Sequence, residues 1–125
     1  MSELLDAIAA SDDGTVRRQT FEAEDLVGCD LGRVEFEDCR FEGCLFADVR
    51  AQRISFERCD LVECDLSNAR LPQAFVRGSR LLGCRAMGVD LHQSILTRVT
   101  LRDCNLAYAN LTESKLEQEI GRAHV

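Results

Sequence analysis

The chain has 125 residues, 22 acidic against 15 basic side chains, and a formal net charge of −7. That length suits one domain, and the negative balance argues against direct nucleic-acid binding and against an anionic membrane surface. No apolar run approaches a membrane span and no signal peptide is recognisable, so a cytoplasmic location is expected.

Residues 1–18 are expected to cap one end of the fold. Ser2 can cap a short helix in which Leu4, Leu5 and Ile8 share one side and Glu3 and Asp6 sit in the first turn, where acids suit the helix dipole. Ser11-Asp12-Asp13-Gly14 then reads as a helix stop and turn, and Thr15–Arg18 lead into the next segment.

Residues 19–118 obey a period of five. One position of every five is apolar without a slip, from Phe21, Leu26, Leu31, Phe36 and Phe41 through to Leu106, Leu111 and Leu116. Two residues earlier stands a second fixed position, which from Cys29 onward holds only Cys, Val, Ile, Ala or Ser. A period of five fits neither a helix nor a flat strand. One large and one small inward residue per five suits a chain that turns a corner at every repeat, and four corners close a square coil of twenty residues. Coils stacked like strands of a parallel sheet, about 4.8 Å apart, would make a rod roughly 24 Å long whose core forms only by stacking.

The repeat motif reads Cys-Asp-Leu at 29–31, 59–61 and 64–66, Val-Asp-Leu at 89–91 and Ala-Asn-Leu at 109–111. It resembles the A(D/N)LXX pattern of pentapeptide-repeat proteins. The resemblance implies an all-β solenoid, a right-handed quadrilateral parallel β-helix of about five coils with a short N-terminal helical cap. All seven cysteines (29, 39, 44, 59, 64, 84 and 104) fall on the small inward position. They are read as reduced, apolar filler, because no zinc-type pair exists and both histidines lie elsewhere. Gly28, Gly43, Gly78, Gly83 and Gly88 share the outermost position, where a corner calls for positive φ.

Charge is unevenly spread. Residues 19–65 hold thirteen acids against five Arg, whereas residues 66–118 hold four acids against seven Lys and Arg. Folded by twenties, Glu35, Glu37, Asp38 and Glu57 fall on one face and Glu22, Glu42, Asp60 and Glu63 on the next, while Arg33, Arg50, Arg53 and Arg70 gather elsewhere. Val62 and Leu82, and likewise Phe75 and Ile95, are outward and one coil apart, and are expected to form a single apolar patch near one corner.

No enzyme is expected. Ser94, on an inward position, should point away from the outward His92, so a Ser/His/Asp reading fails, and no metal, cofactor or catalytic residue is assigned. Three stretches, Cys64–Ser67, Cys84–Leu91 and Asn105–Leu111, resemble Qnr-type quinolone-resistance proteins. That resemblance implies a DNA mimic whose acids dock on DNA gyrase or topoisomerase IV and protect it from fluoroquinolones. The alternative is a structural or protein-interaction module of unspecified partner.

Residues 119–125 leave the repeat. The string Ile120-Gly121-Arg122-Ala123-His124-Val125 matches the translation of a common sequencing adapter, so it is expected to be read-through on a truncated gene. The exposed edge of the last coil would then favour a homodimer or stack through the C-terminal end.

Overall fold

The computed structural model describes residues 2–117 and 120–124. One helix, α1 (Glu3–Ala10), precedes strands β1 (Thr15–Arg17), β2 (Thr20–Glu22), β3 (Asp30–Gly32), β4 (Glu35–Glu37), β5 (Arg40–Glu42), β6 (Arg50–Ala51), β7 (Ser55–Glu57), β8 (Asp60–Val62), β9 (Phe75–Arg77), β10 (Arg80–Leu82), β11 (Ile95–Thr97), β12 (Thr100–Asn105), β13 (Lys115–Glu117) and β14 (Ile120–His124). All pairings are parallel, and between successive coils they join residues twenty apart, as in Val16↔Phe36, Phe41↔Leu61 and Leu61↔Leu81. Strands β1-β4-β7-β9-β11-β13 form face 1 and β2-β5-β8-β10-β12-β14 form face 2. Face 3 is a line of single bridges from Asp25 through Leu45, Asp65 and Arg85 to Asn105. Face 4 starts with β3-β6 and continues by bridges through Arg70 and Asp90 to Asn110. The six strands of face 1, each twenty residues on, bound five coils.

Two backbone rules close each coil. An N–H early in a face donates to a carbonyl in the coil before, as Arg40 N to Gln19 O at 2.9 Å and Asp60 N to Cys39 O at 3.0 Å. At the corners the N–H donates forward, as Arg18 N to Glu37 O at 2.9 Å and Ala23 N to Glu42 O at 2.8 Å. The corner backbone is left-handed whatever the residue, with φ from 50° at Arg18 to 62° at Tyr108 where the residue is not glycine and up to 74° at Gly28. Glycine is therefore favoured at corners but not required, because the two-sided ladder overrides the local cost of αL. The corner at Arg33 is the exception. There the left-handed residue is Gly32 (φ 65°), one position early, and the register of β3 against β6 shifts at the same place.

The Asp or Asn of the repeat motif has a mechanical reason on faces 3 and 4. Its side-chain oxygen accepts the N–H two residues on, as at Asp30–Gly32 (2.8 Å), Asp65–Ser67 (2.9 Å), Asn105–Ala107 (3.0 Å) and Asn110–Thr112 (3.0 Å). These Asx turns bend the chain where no flat strand forms.

The ends amend two expectations. Parallel pairing starts at Thr15 rather than Gln19, with Val16 buried in the core. At the other end Ile120–His124, expected to leave the coil, lies along β12 with a register shift between Arg102 and Cys104. Helix α1 sits over the first coil with Leu4 fully buried, while Leu5, expected beside it, is exposed. Ser2 caps the helix by accepting Leu5 N at 3.1 Å, and its hydroxyl donates to Glu24 at 2.6 Å. Glu24 occupies the small inward position where later coils carry Cys44, Cys64, Cys84 and Cys104. The cap thus explains why the small-residue rule fails in the first coil.

Candidate functional site

The interior is filled and, among the described residues, no buried side-chain nitrogen or oxygen lacks a hydrogen-bond partner. The cysteines are free thiols. Each buried one donates to a carbonyl 23 residues earlier, as Cys84 to Leu61 O and Cys104 to Leu81 O, both at 3.2 Å. Ser79 makes the matching contact to Phe56 O at 3.3 Å and accepts Cys59 N at 3.0 Å. The small position is therefore a polar bracket inside the coil as well as filler. Within a column, contact with the neighbouring thiol, then burial, raises Cys59 and Cys104, and the same contact lowers Cys39 and Cys44 to about 7.

Ser94 is buried with its hydroxyl on Ala74 N at 2.9 Å, whereas His92 lies outside with Nδ1 2.8 Å from Asp90. No triad geometry exists between them. Among the described residues, no three His, Cys, Asp or Glu side chains cluster as metal ligands.

What remains is surface. Face 1 brings Glu35, Glu37 and Glu57 beside Phe75 and Ile95 along an open depression of about 500 Å³, with Arg53 at its rim. Phe75 and Ile95 stack in register and are 37% and 39% exposed. Face 2 carries Glu22, Glu42, Val62, Leu82 and Arg102 in one column. The four apolar residues expected to make one patch therefore make two. Phe75 and Ile95 lie on the far edge of face 1 and Val62 and Leu82 on the far edge of face 2, with Arg77 and Arg80 between. The fold by twenties places each residue on its face, and the edge depends on its side of the inward residue, with Phe75 before Val76 and Val62 after Leu61.

The predicted acids are also less free than their sequence suggests. Arg58 binds Asp38 at 2.9 Å and Glu57 at 3.0 Å. Arg17 reaches Glu37 at 3.2 Å, Arg40 binds Glu42 and Asp60, and Arg80 grips Asp60 at 2.7 Å. Hydrogen bonds from Arg58 and Arg80 hold the Asp38 and Asp60 carboxyls below the usual carboxylate range. Among the described residues, Glu22, Glu35 and Glu63 have no such cation. Sequence reading missed these arginines, although Arg58 and Arg80 stand twenty residues after an acid (Asp38, Asp60) and Arg17 and Arg40 twenty before one (Glu37, Asp60), which in this coil is direct contact. It also missed Tyr108, 89% exposed on a corner that holds Gly28, Asp48, Asn68 and Gly88 in other coils. On face 4, Arg50 and Arg70 are bridged neighbours, while Arg53 turns to Gln73 at 3.1 Å.

The pentapeptide repeat region family matches residues 29–111. The chain belongs to the pentapeptide-repeat family. No curated protein matches its sequence. Among solved structures, the pentapeptide-repeat protein Rfr23 from the cyanobacterium Cyanothece 51142 is 18% identical, with a TM-score of 0.65 over 90% of this chain and 92% of that one. QnrB1, a plasmid-mediated fluoroquinolone resistance protein, is 22% identical at TM-score 0.47 over 87% of this chain and 61% of that one. HetL of Nostoc sp. strain PCC 7120, involved in heterocyst differentiation regulation, is 13% identical at TM-score 0.38 over 96% and 94%. The likeness to Rfr23 speaks to fold alone. For a pentapeptide-repeat solenoid with a filled core, the outer faces are where a partner is met, and the fold supports a protein-binding or structural role.

Proposed function

We propose that this solenoid is a non-catalytic binding protein that offers face 1 of its acidic coils to a basic protein surface of the kind that normally holds DNA. DNA gyrase or topoisomerase IV is the partner class to test. The observation that carries the reading is the charge gradient along the rod. Because coils stack in chain order, the thirteen acids and five Arg of residues 19–65 fill one half and the four acids and seven Lys and Arg of residues 66–118 the other. Such a gradient orients a charged partner before contact. Phe75 and Ile95, which line the same depression as Glu35 and Glu57, add apolar area to the same face. The stretches similar to Qnr-type proteins favour gyrase within the class.

A second reading, a protein-interaction module with no topoisomerase partner, is favoured by the arginines that already neutralise Glu37, Asp38, Glu42, Glu57 and Asp60. A gyrase supercoiling assay with and without a fluoroquinolone separates the two. The proposal expects inhibition or protection at micromolar protein, weakened by raised salt and by Glu35→Lys. Absence of both effects at low salt leaves the second reading.

A further inference from the structure

We infer that face 2 is a contact between two copies of this chain, packed with their rod axes antiparallel about a two-fold axis that runs along the strands between β8 and β10. One column carries the inference, in register through four pairings: Glu22, Glu42, Val62, Leu82, Arg102. It reads acid, acid, apolar, apolar, base. Reversed upon itself about a point between Val62 and Leu82, it is self-complementary. Val62 meets the partner's Leu82, and Glu42 meets the partner's Arg102, each twice by symmetry.

The neighbouring column of face 2 obeys the same axis. It holds Thr20, Arg40, Asp60, Arg80 and Thr100 in register. Asp60 meets the partner's Arg80, and Arg40 meets the partner's Thr100. No like charges coincide in either column. The other isologous choice, with the two-fold along the rod, fails: it sets Asp60 against the partner's Val62 and Arg80 against the partner's Leu82, which desolvates the Asp60–Arg80 ion pair under apolar side chains and gains no charge partner across the contact. The wider face agrees with the antiparallel arrangement. Its first three coils carry Glu22, Glu42, Asp60 and Glu63 against Arg40, and the next two carry Arg80 and Arg102 against Asp103.

The size of the contact sets its strength. Five coils at sheet spacing and three residues across give a footprint of roughly 24 by 10 Å, well under the area of about 800 Å² per partner in a standard stable interface. The dimer is therefore weak, reversible and salt-sensitive. Its surface is separate from face 1, so it stands or falls independently of the topoisomerase reading.

Sedimentation velocity on the full chain across a concentration series, at about 50 mM and about 500 mM salt, tests it. The wild type is expected to dimerise reversibly at low salt and to weaken at high salt. Glu42→Arg alone and Arg102→Glu alone each place like charges together twice and are expected to weaken self-association at least about tenfold, with circular dichroism unchanged. An equimolar mixture of the two variants is expected to associate again, because each then meets opposite charge. The inference is overturned by a wild type that stays monomeric throughout at low salt. A dimer indifferent to both single reversals overturns it too, as does a mixture no tighter than its components.

Discussion

In the first three coils the large inward position holds Phe21, Phe36, Phe41, Phe46 and Phe56; in the last two it holds only Leu, Val and Ala. The phenylalanines form one cluster. Phe21 stacks on Phe41 at 5.5 Å and Phe36 on Phe56 at 5.5 Å, while Phe41 meets Phe36, Phe46 and Phe56 edge-on at 5.0, 5.7 and 5.9 Å. In the later coils Leu81, Leu91 and Leu101 are only partly buried, and Leu116 is 46% exposed. The backbone rule is the same in both regions apart from the corner at Arg33 and the register shift of β14, since elsewhere the left-handed corners and the twenty-residue register do not change. The period thus specifies the path of the chain, and the residues within the period specify how firmly each coil is held. In a solenoid each coil leans on its neighbours, so the two regions are expected to differ in local stability.

The largest effect tests that contrast. Phe41→Ala removes the hub of the cluster and is expected to cost about 3–5 kcal/mol, whereas Leu101→Ala, at a partly buried position, should cost about 2 kcal/mol or less. Urea unfolding followed by circular dichroism gives both values, and hydrogen exchange should show the last coils opening first. Equal costs, or earlier exchange in the first three coils, would break the comparison.

A smaller effect sharpens it. Ser79 follows Cys39 and Cys59 in the same column, one coil beyond Cys59, and its hydroxyl accepts the buried N–H of Cys59. Ser79→Ala leaves that donor without an acceptor and is expected to cost about 1–3 kcal/mol. Ser79→Cys puts back an atom that the earlier coils already use there, so its cost should be clearly less. If Ala and Cys behave alike, the small inward position is only filler, as its pattern in the sequence suggests.

The solenoid itself was legible in the sequence. Twenty apolar residues in phase, with small residues two places before them, were enough for a square parallel coil, because a packed core tolerates no slip in either column. The helical cap was legible from Ser2 and the turn at Ser11–Gly14. The start of pairing at Thr15 was not, because Gly14 and the polar Gln19 and Glu24 break the small-residue rule there, and Glu24 does so to bond Ser2 at the start of α1. The surface was read face by face but not edge by edge, so Val62 and Leu82 were joined to Phe75 and Ile95 across two intervening arginines. The acids were counted without their partners, since Arg58 and Arg80 are neighbours of Asp38 and Asp60 only through the coil. The role of the thiols as donors was illegible for the same reason, because a carbonyl 23 residues away has no local signature.

The ion pairs supply the finest distinction between the regions. Asp38 and Asp60 belong to the first three coils, and hydrogen bonds from Arg58 and Arg80 lower both carboxyls below their unfolded values. A carboxyl lowered on folding adds stability that is complete above the unfolded value of about 3.9 and is lost as pH falls through the lower, folded value. Thermal stability should therefore hold from neutral pH to about pH 4 and then decline. Solvent reaches the Asp60 pair, so Asp60→Asn is expected to cost under about 1 kcal/mol at pH 7. The variant should also lose less stability than the wild type on going below pH 4, because one titrating group has gone. A melting series in matched ionic strength reads both numbers. An acid limb equally steep in variant and wild type would mean that the arginines decorate the acidic coils without holding them together, and the two regions would then differ in packing alone.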